Sequence, residues 1–304
     1  MQFAPAPGRH LLQSELLDCT DACPICRSTS PRPKVIRVQT SPDVYMLACM
    51  QCRGSSASHM PRGEVLEEYY SGFYEGRGRD VTFSRPARFA SHLARMLHRH
   101  PLPRAMRILD YGGGDGSLAM ELARLLVDRR SVDSAEILVV DYATHSAAAH
   151  DSIAIRYQSP ELEITDAYDL VLASAILEHV PDLFTLLHRL HQSIVQRGVF
   201  YARTPYVLPL AKLSRRLDVG YPAHVHDLGV GFWNGIRDTF GWPVDVISSR
   251  PSIVANTLRE DPLRALSALV LKVPGRVESM LSRRERKTRL WPFVGGWEVL
   301  LQKK

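Results

Sequence analysis

The chain has 304 residues, enough for one large domain or two unequal ones with a substantial core. Hydrophobic residues at 45% and charged residues at 23% are ordinary for a globular protein, and no apolar run approaches the ~20 residues needed to cross a bilayer. The net charge of +6 is modest. Its densest patch, SRRERKTR at 282–289, reads first as a solvated face; the alternatives are docking to a phosphorylated substrate, an acidic membrane surface or a nucleic acid. Aromatic residues do not alternate with these charges as a base-stacking surface requires. The opening residues carry no basic stretch followed by an apolar core, so the expected address is cytoplasmic, where thiols stay reduced. Neither repeats nor low-complexity segments are present.

All five cysteines lie in the first 52 residues. Cys23 and Cys26 form CPIC, Cys49 and Cys52 form CMQC, and 22 residues separate the two pairs. A C-x2-C turn aims two thiolates at one point, and two such turns supply the tetrahedral sulfur set that zinc prefers. Between them KVIRVQTSPDVYMLAC reads as two short strands around a Ser-Pro-Asp turn, the layout of a zinc ribbon. Iron is the competing occupant. A redox pair needs one C-x2-C only and a βαβ context that is missing here. Four cysteines leave no open coordination position, so the zinc is structural, and Cys19 is left as a free thiol.

Residues 1–62 are thus a small ribbon head, and 63–304 a second, larger unit. The latter begins with a helical lead-in at 63–104, where Tyr69, Tyr70 and Tyr74 either pack on a sheet or close over a ligand. From 105 onward strands and helices alternate, which predicts an α/β fold with a mainly parallel sheet covered on both faces. The predicted strands are RILDYG, AEILVVDY, IAIRYQ, YDLVLASA, GVFYARTP, PVDVISS and GWEVLLQKK. Two stretches break the alternation: a loop-rich segment at 207–240, expected to be a substrate lid, and a helical, basic insertion at 257–290.

The first strand of the large unit ends in ILDYGGGDG, a D-x-G-x-G-x-G turn. Glycines there allow unusual φ and close backbone approach, and the amides opening the next helix favour an anion. A dinucleotide fingerprint, G-x-G-x-x-G, fits poorly because Ser117 falls in its third position, and the G-K-[ST] of a phosphate loop is absent. The second strand ends in Asp141, 31 residues after Asp110, where a carboxylate can accept from both hydroxyls of a ribose. A single ribose acceptor without a pyrophosphate turn points to a nucleoside with a short charged tail, the shape of S-adenosylmethionine.

ILDYGGGDGSLA, VVDY and YDLVLASAILEHVPD together resemble the conserved turns of class I S-adenosylmethionine-dependent methyltransferases, over roughly residues 105–304. LEHVPD is similar to the branch that includes ubiquinone-type and many small-molecule enzymes. The cysteine head followed by YY…FY resembles a subgroup found with sugar, polysaccharide or natural-product tailoring. The resemblance implies a seven-stranded Rossmann-like sheet whose final strand runs antiparallel. It also implies that Gly112, Gly114 and Gly116 line the methionine end of the cofactor, that Asp110 holds its amino group, that Asp141 binds the ribose, and that Ala173 and Ser174 pass beside the methionine portion. For adenine, Gln158, Glu161 and Glu163 are candidates with no clear winner.

Methyl transfer to a hydroxyl needs a proton acceptor, most often histidine. His179 in LEHVPD, and His224 and His226 in YPAHVHD, are the candidates, with Asp227 a possible orienting carboxylate and Glu178 a substitute. Each also has a structural reading: a loop-fixing residue for His179, and ordinary loop histidines for the other two. Arg203 either meets an acidic substrate or forms an ordinary ion pair. The expected reaction is methylation of oxygen or carbon on a small molecule, plausibly a sugar, glycan precursor or other natural product. Two alternatives stand beside it. One is an RNA or protein substrate read by the ribbon and the basic run, although no N-P-P-Y tetrapeptide appears and SAIL stands in its place. The other is a methyltransferase fold used as a non-catalytic binding module.

Overall fold

The computed structural model describes residues 10–66, 68, 85–142, 146–214, 217–253, 262–281 and 290–304. Tyr69, Tyr70, Tyr74 and the basic run at 282–289 lie outside the described residues.

Two sheets organise the molecule. The smaller is built from β1 (Lys34–Gln39), β2 (Val44–Ala48) and β3 (Ser55–Ala57). The larger contains β4 (Ala105–Tyr111), β5 (Ser134–Val140), β6 (Ala148–His150), β7 (Ile153–Gln158), β8 (Tyr168–Ser174) and β9 (Ile194–Tyr206). A two-residue strand, β10 (His226–Asp227), then leaves for the small sheet, while β11 (Val244–Pro251) and β12 (Gly295–Lys303) complete the large one. The large sheet has the order β11-β12-β9-β8-β4-β5-β7-β6. Strands β7, β5, β4, β8 and β9 run parallel, and β12 inserts antiparallel between β9 and β11. The order reverses between β4 and β8, and in such sheets ligands bind at the carboxyl ends of the strands around that point.

The strands read as apolar runs because both faces are covered. On one face Ile108, Ile137, Val139, Leu170 and Leu172 pack under two helices, α1 (Pro86–Leu97) and α2 (Ser117–Asp128). Helix α1 starts with proline, whose fixed φ suits that position, and buries Phe89, Ala90, Leu93, Ala94 and Leu97. On the other face Leu109, Leu138, Val171 and Ala173 meet α3 (Leu183–Gln192), whose first turn is capped by the Asp182 carboxylate accepting from the Thr185 amide.

Among the described residues the large sheet has eight strands where seven were expected. The additional one, β6, pairs antiparallel with β7 through His150↔Ile153 and Ala148↔Ile155. Asp151 takes φ 52 in the two-residue connection, the positive-φ geometry of tight hairpins. Its strand residues, Ala-Ala-His, carry too little β-propensity to announce it.

The ribbon does not stand apart. β10, from the segment expected to be a lid, pairs antiparallel with β3 (His226↔Ser56, Asp227↔Ser55), so the small sheet runs β1-β2-β3-β10. Cys23, Ile25, Cys49 and Cys52 share a continuous apolar core with Leu228, Phe232 and Trp233 of the large unit.

Far from the glycine turn, Glu298 on β12 is fully buried in a charged network. It accepts from His92 of α1 at 2.9 Å, from Arg250 of β11 at 2.8 Å and from the Tyr201 hydroxyl at 3.3 Å. Burial alone would raise its pKa; His92 and Arg250 outweigh that and hold it below the ordinary carboxylate value. Removing one member of a buried pair strands the others. Glu298→Ala should therefore cost ~3–5 kcal/mol in urea unfolding, while disrupting the exposed Arg104–Asp133 pair should cost about 0–1 kcal/mol. Equal costs for the two changes would contradict a buried, hydrogen-bonded joint centred on Glu298.

Candidate functional site

β4 delivers Asp110 and Tyr111 into the turn at 112–116, where Gly112 and Gly116 have φ of +69° and +72°. Their bareness serves the chain's own packing as well as any ligand. A Cβ on Gly112 would lie 2.4 Å from Ile176, and one on Gly116 would lie 2.7 Å from Ile155 and 2.9 Å from Val139. The turn is thus pressed between the segment after β8 and the side chains of β5 and β7.

Asp110 is 2% exposed, and its Oδ2 has no hydrogen-bond partner. Burial, with further repulsion from Asp141 and Asp115, pushes its pKa up to about 7, against the weaker opposing pull of the Ala119 amide. A buried carboxyl oxygen left without a partner is costly, and a cationic group is what would relieve it. Asp141, at the tip of β5, is joined to the turn directly: its Oδ2 accepts from the Gly114 amide at 2.8 Å. The Gly112 amide donates to the Val140 carbonyl at 2.8 Å, and the Asp141 amide to that of Gln158 at 3.1 Å, tying the tips of β4, β5 and β7 together.

Of the adenine candidates, Gln158 uses its amide to close its own loop on the carbonyls of Leu162 and Glu163, while Glu161 and Glu163 are exposed. Tyr157, which sequence reasoning passed over, donates from its hydroxyl to the Asp115 carbonyl at 3.0 Å.

Ala173 and Ser174 are buried at the end of β8. The next residue, Ala175, has φ +61°, a left-handed conformation uncommon for a side-chain-bearing residue, with its amide donating to the Arg203 carbonyl at 2.8 Å. Because it is alanine and not glycine, nothing in the sequence marked this kink. It turns the chain so that Ile176 covers Gly112 and Glu178 and His179 follow immediately.

Here the structure gathers two of the three candidate histidines. The rings of His179 and His224 meet edge-on at 4.8 Å. His179 donates from Nδ1 to the Ala223 carbonyl at 2.9 Å, and His224 from Nδ1 to the Val219 carbonyl at 3.1 Å. Burial drives both pKa values down, that of His179 to about 3, so both rings are neutral at physiological pH. Glu178, buried beside them, places Oε1 3.8 Å from His179 Nε2. The third histidine, His226, turns elsewhere and donates from Nε2 to the Val180 carbonyl at 2.9 Å. Asp227 orients none of them, because its carboxylate accepts from the amides of Val207 and Leu208. Arg203 is buried under the Phe89 ring at 4.8 Å.

The four sulfurs of Cys23, Cys26, Cys49 and Cys52 lie within 4.8 Å of one another, with Cys23–Cys52 at 3.9 Å and Cys26–Cys49 at 3.8 Å. A tetrahedral zinc with Zn–S of about 2.3 Å sets its sulfurs about 3.8 Å apart, so the donor set fits zinc. Arg27 and Arg53, each following the second cysteine of its pair, both have φ 60, giving two matching knuckles. Cys19 is exposed and outside the group. The first knuckle leans on α3: the Pro24 carbonyl accepts from the Phe184 amide at 3.1 Å, and Arg27 pairs with Asp182 at 2.6 Å.

A family model described as a methyltransferase domain matches residues 83–234. Among curated relatives, a ubiquinone biosynthesis O-methyltransferase of Paramagnetospirillum magneticum is 28% identical over 152 residues, which are 48% of this chain and 59% of that protein. The protein of the same description from Azorhizobium caulinodans is 35% identical over 120 residues, 38% of this chain and 46% of that protein. The chain therefore spans about half the length of these relatives. A solved coclaurine N-methyltransferase, bound to N-methylheliamine and SAH, is 16% identical with a TM-score of 0.42, covering 70% of each chain, a likeness too loose to carry weight.

Two outcomes follow. Asp110 has a folded pKa above its unfolded value of about 3.9, so the folded state holds an extra proton between about pH 4 and pH 7, and stability falls as pH rises through that window. Asp141, Asp115, the Tyr157 hydroxyl and the Ala119 amide are the groups that face it. Urea unfolding of Asp110→Asn should show a shallower fall over that range, and an unchanged slope would refute the assignment. Cys49→Ala removes one of the four clustered sulfurs and should lower the melting temperature of the whole chain in a single transition, since the cysteine-bearing segment and the large unit share a core. Two separate transitions would show that they fold independently.

Proposed function

The chain belongs to the methyltransferase-domain family whose model spans residues 83–234, and from that premise we propose that it transfers a methyl group from S-adenosylmethionine to a hydroxyl oxygen of a small molecule. The observation that carries the cofactor half is the buried, partnerless Asp110 oxygen beside an acid-tipped second strand. When bound, the cofactor supplies a methyl group on a positively charged sulfur. Asp110 would receive its ammonium, which returns the carboxyl to its ionised form. Asp141, held at the tip of β5 by the Gly114 amide, would hold the ribose hydroxyls. Gly112, Gly114 and Gly116, with Ala173 and Ser174 opposite, would flank the methionine portion. Tyr157 braces the turn from below through the Asp115 carbonyl.

The acceptor half rests on Glu178, His179 and His224. Glu178 and His179 come shortly after β8, His224 meets His179 from the segment after β9, and Ile176, between β8 and Glu178, lies against the glycine turn, so cofactor and acceptor sites would adjoin. Burial keeps both imidazoles neutral and raises the pKa of the Glu178 carboxyl to about 8, so these three groups would position the acceptor hydroxyl and take its proton as the methyl group is transferred in line. Held in that alignment, proximity alone supplies on the order of 7–11 kcal/mol of the barrier in favourable cases. Oxygen, among the acceptor atoms considered, is favoured by the relatives' description as O-methyltransferases. The four cysteines would hold zinc as a brace with no place for a substrate, and a sugar, glycan precursor or other natural product remains the class of acceptor that fits.

Calorimetry of S-adenosylmethionine with the full chain should show binding that Asp141→Ala weakens at least about tenfold, or 1.4 kcal/mol. His224→Ala should leave that affinity intact and lower the methylation rate of a hydroxylated acceptor by about 10²-fold or more. A wild-type chain that binds no cofactor would end this reading.

A further inference from the structure

Glu298 of β12 stands opposite Arg203 of β9 on one side and opposite Arg250 of β11 on the other, so three charged residues form a row across adjacent strands. The helix α4 (Pro262–Leu281) lies against β11 and β12 and brings Lys272 and Arg276, one helical turn apart, to that row. Its approach is close: a Cβ on Gly275 would lie 2.9 Å from Val294 and 3.1 Å from Pro251. Because β12 starts at Gly295, opposite Tyr206 at the carboxyl end of β9, this is the edge of the sheet that also carries the glycine turn.

Lys272 is satisfied by the chain itself. Its Nζ donates to the Ser252 hydroxyl at 2.7 Å and to the carbonyls of Ser252 and Ile253 at 3.0 and 3.2 Å, which uses all three protons. Arg276 is not. Its Nε and Nη2 are both buried and have no hydrogen-bond partner. Glu298, the carboxylate that faces it, is already taken by Arg250 at 2.8 Å, His92 at 2.9 Å and Tyr201 at 3.3 Å. A lysine can escape burial by shedding its proton, and burial lowers the pKa of Lys272 to about 7. A guanidinium has no such escape, so its unmet donors are a standing cost. The two orphaned nitrogens form one edge of the guanidinium, with N–H bonds side by side, and that fork matches two oxygens of a carboxylate or phosphate. Three arginines and a lysine gathered around one ionised acid also leave the region short of negative charge.

We propose that the Nε–Nη2 edge of Arg276 binds an oxyanion, a carboxylate or a phosphate, carried by the methyl acceptor. The row leads to the acceptor groups, since Arg203 at its other end faces Glu178. Arg276 is only partly buried as a residue, which leaves the anion an approach from solvent. Lys272 is a positioning residue that fixes Ser252 and Ile253 beside the fork. An acidic group anchored there decides which hydroxyl of the acceptor is presented to the cofactor. This rests on the methyltransferase reading above.

The first test measures melting of the full chain in inorganic phosphate, in acetate and in chloride at one ionic strength. Phosphate or acetate should stabilise wild type over chloride, and Arg276→Met should weaken that anion's affinity at least about tenfold. In chloride Arg276→Met should melt no lower than wild type, because it removes a buried charge that has no partner. Arg276→Gln is the second variant, and Arg104→Met, at an exposed arginine, is the control that keeps the anion effect. Wild type indifferent to both anions overturns the proposal, as does an anion effect that both Arg276 variants retain. Loss of stability in chloride for both variants would show a guanidinium satisfied by the fold and overturns it equally. The second test follows labelled methyl transfer from S-adenosylmethionine into a small-molecule extract of the producing cells. The labelled product should be held by an anion exchanger, and Arg276→Met should form it at least about tenfold more slowly. A product that passes unretained, or one that Arg276→Met forms at the wild-type rate, assigns the fork to a separate anion and overturns the acceptor half. No label from a chain that binds phosphate through Arg276 would instead strike the methyltransferase reading and leave the anion site standing.

Discussion

The carbonyl oxygen of Glu178 accepts two amides, those of Val225 and His226, and much of the site depends on that join. It fixes the loop after β8 against a strand that is far away in sequence. On one side of the join His224 is drawn to His179; on the other, His226 and Asp227 run on into the ladder with β3. Asp227 in turn collects the amides of Val207 and Leu208 and so anchors the short helix at Leu208–Leu213. A single peptide oxygen therefore links the acceptor side of the site, the segment after β9 and the cysteine-bearing sheet.

The cofactor side is organised by a different economy. The turn after β4 is squeezed from both faces, by Ile176 above and by Ile155 and Val139 below. Its left-handed glycines are demanded by the fold whether or not a ligand is present. What the packing leaves unsatisfied is Asp110, buried among acidic neighbours and partnerless at one oxygen. An unmet polar group in a rigid, close-packed surrounding is a binding specification, because the protein cannot relax to remove it.

The parts of this structure visible in the sequence are those that rest on local pattern. Apolar runs in β4, β5 and β8, the helical spacing of 117–128, the paired C-x2-C turns and the D-x-G-x-G-x-G turn each carry their signal within a few residues. The parts that were hidden are set by distant partners. Ala175 takes a glycine-like φ while its amide is held by the Arg203 carbonyl of β9, which its own side chain could not reveal. His224 and His226, alike in their spacing, part company because one meets Val219 and the other Val180. The strand β6 has a composition no pattern would select and is created by the left-handed Asp151 beside it. Asp227, placed by its spacing next to two histidines, is instead claimed by amides from an earlier segment.

The pairing of β3 with β10 bears on how the chain comes into being. Residues 55–57 leave the ribosome long before residues 226–227 exist, so the third strand of the small sheet must wait with one edge bare while β4 to β9, six strands of the large sheet, are translated. An exposed edge is an invitation to mispair, and a strand of three residues offers little to a wrong neighbour. Brevity at β3 thus protects the nascent chain during the interval before its proper companion is made.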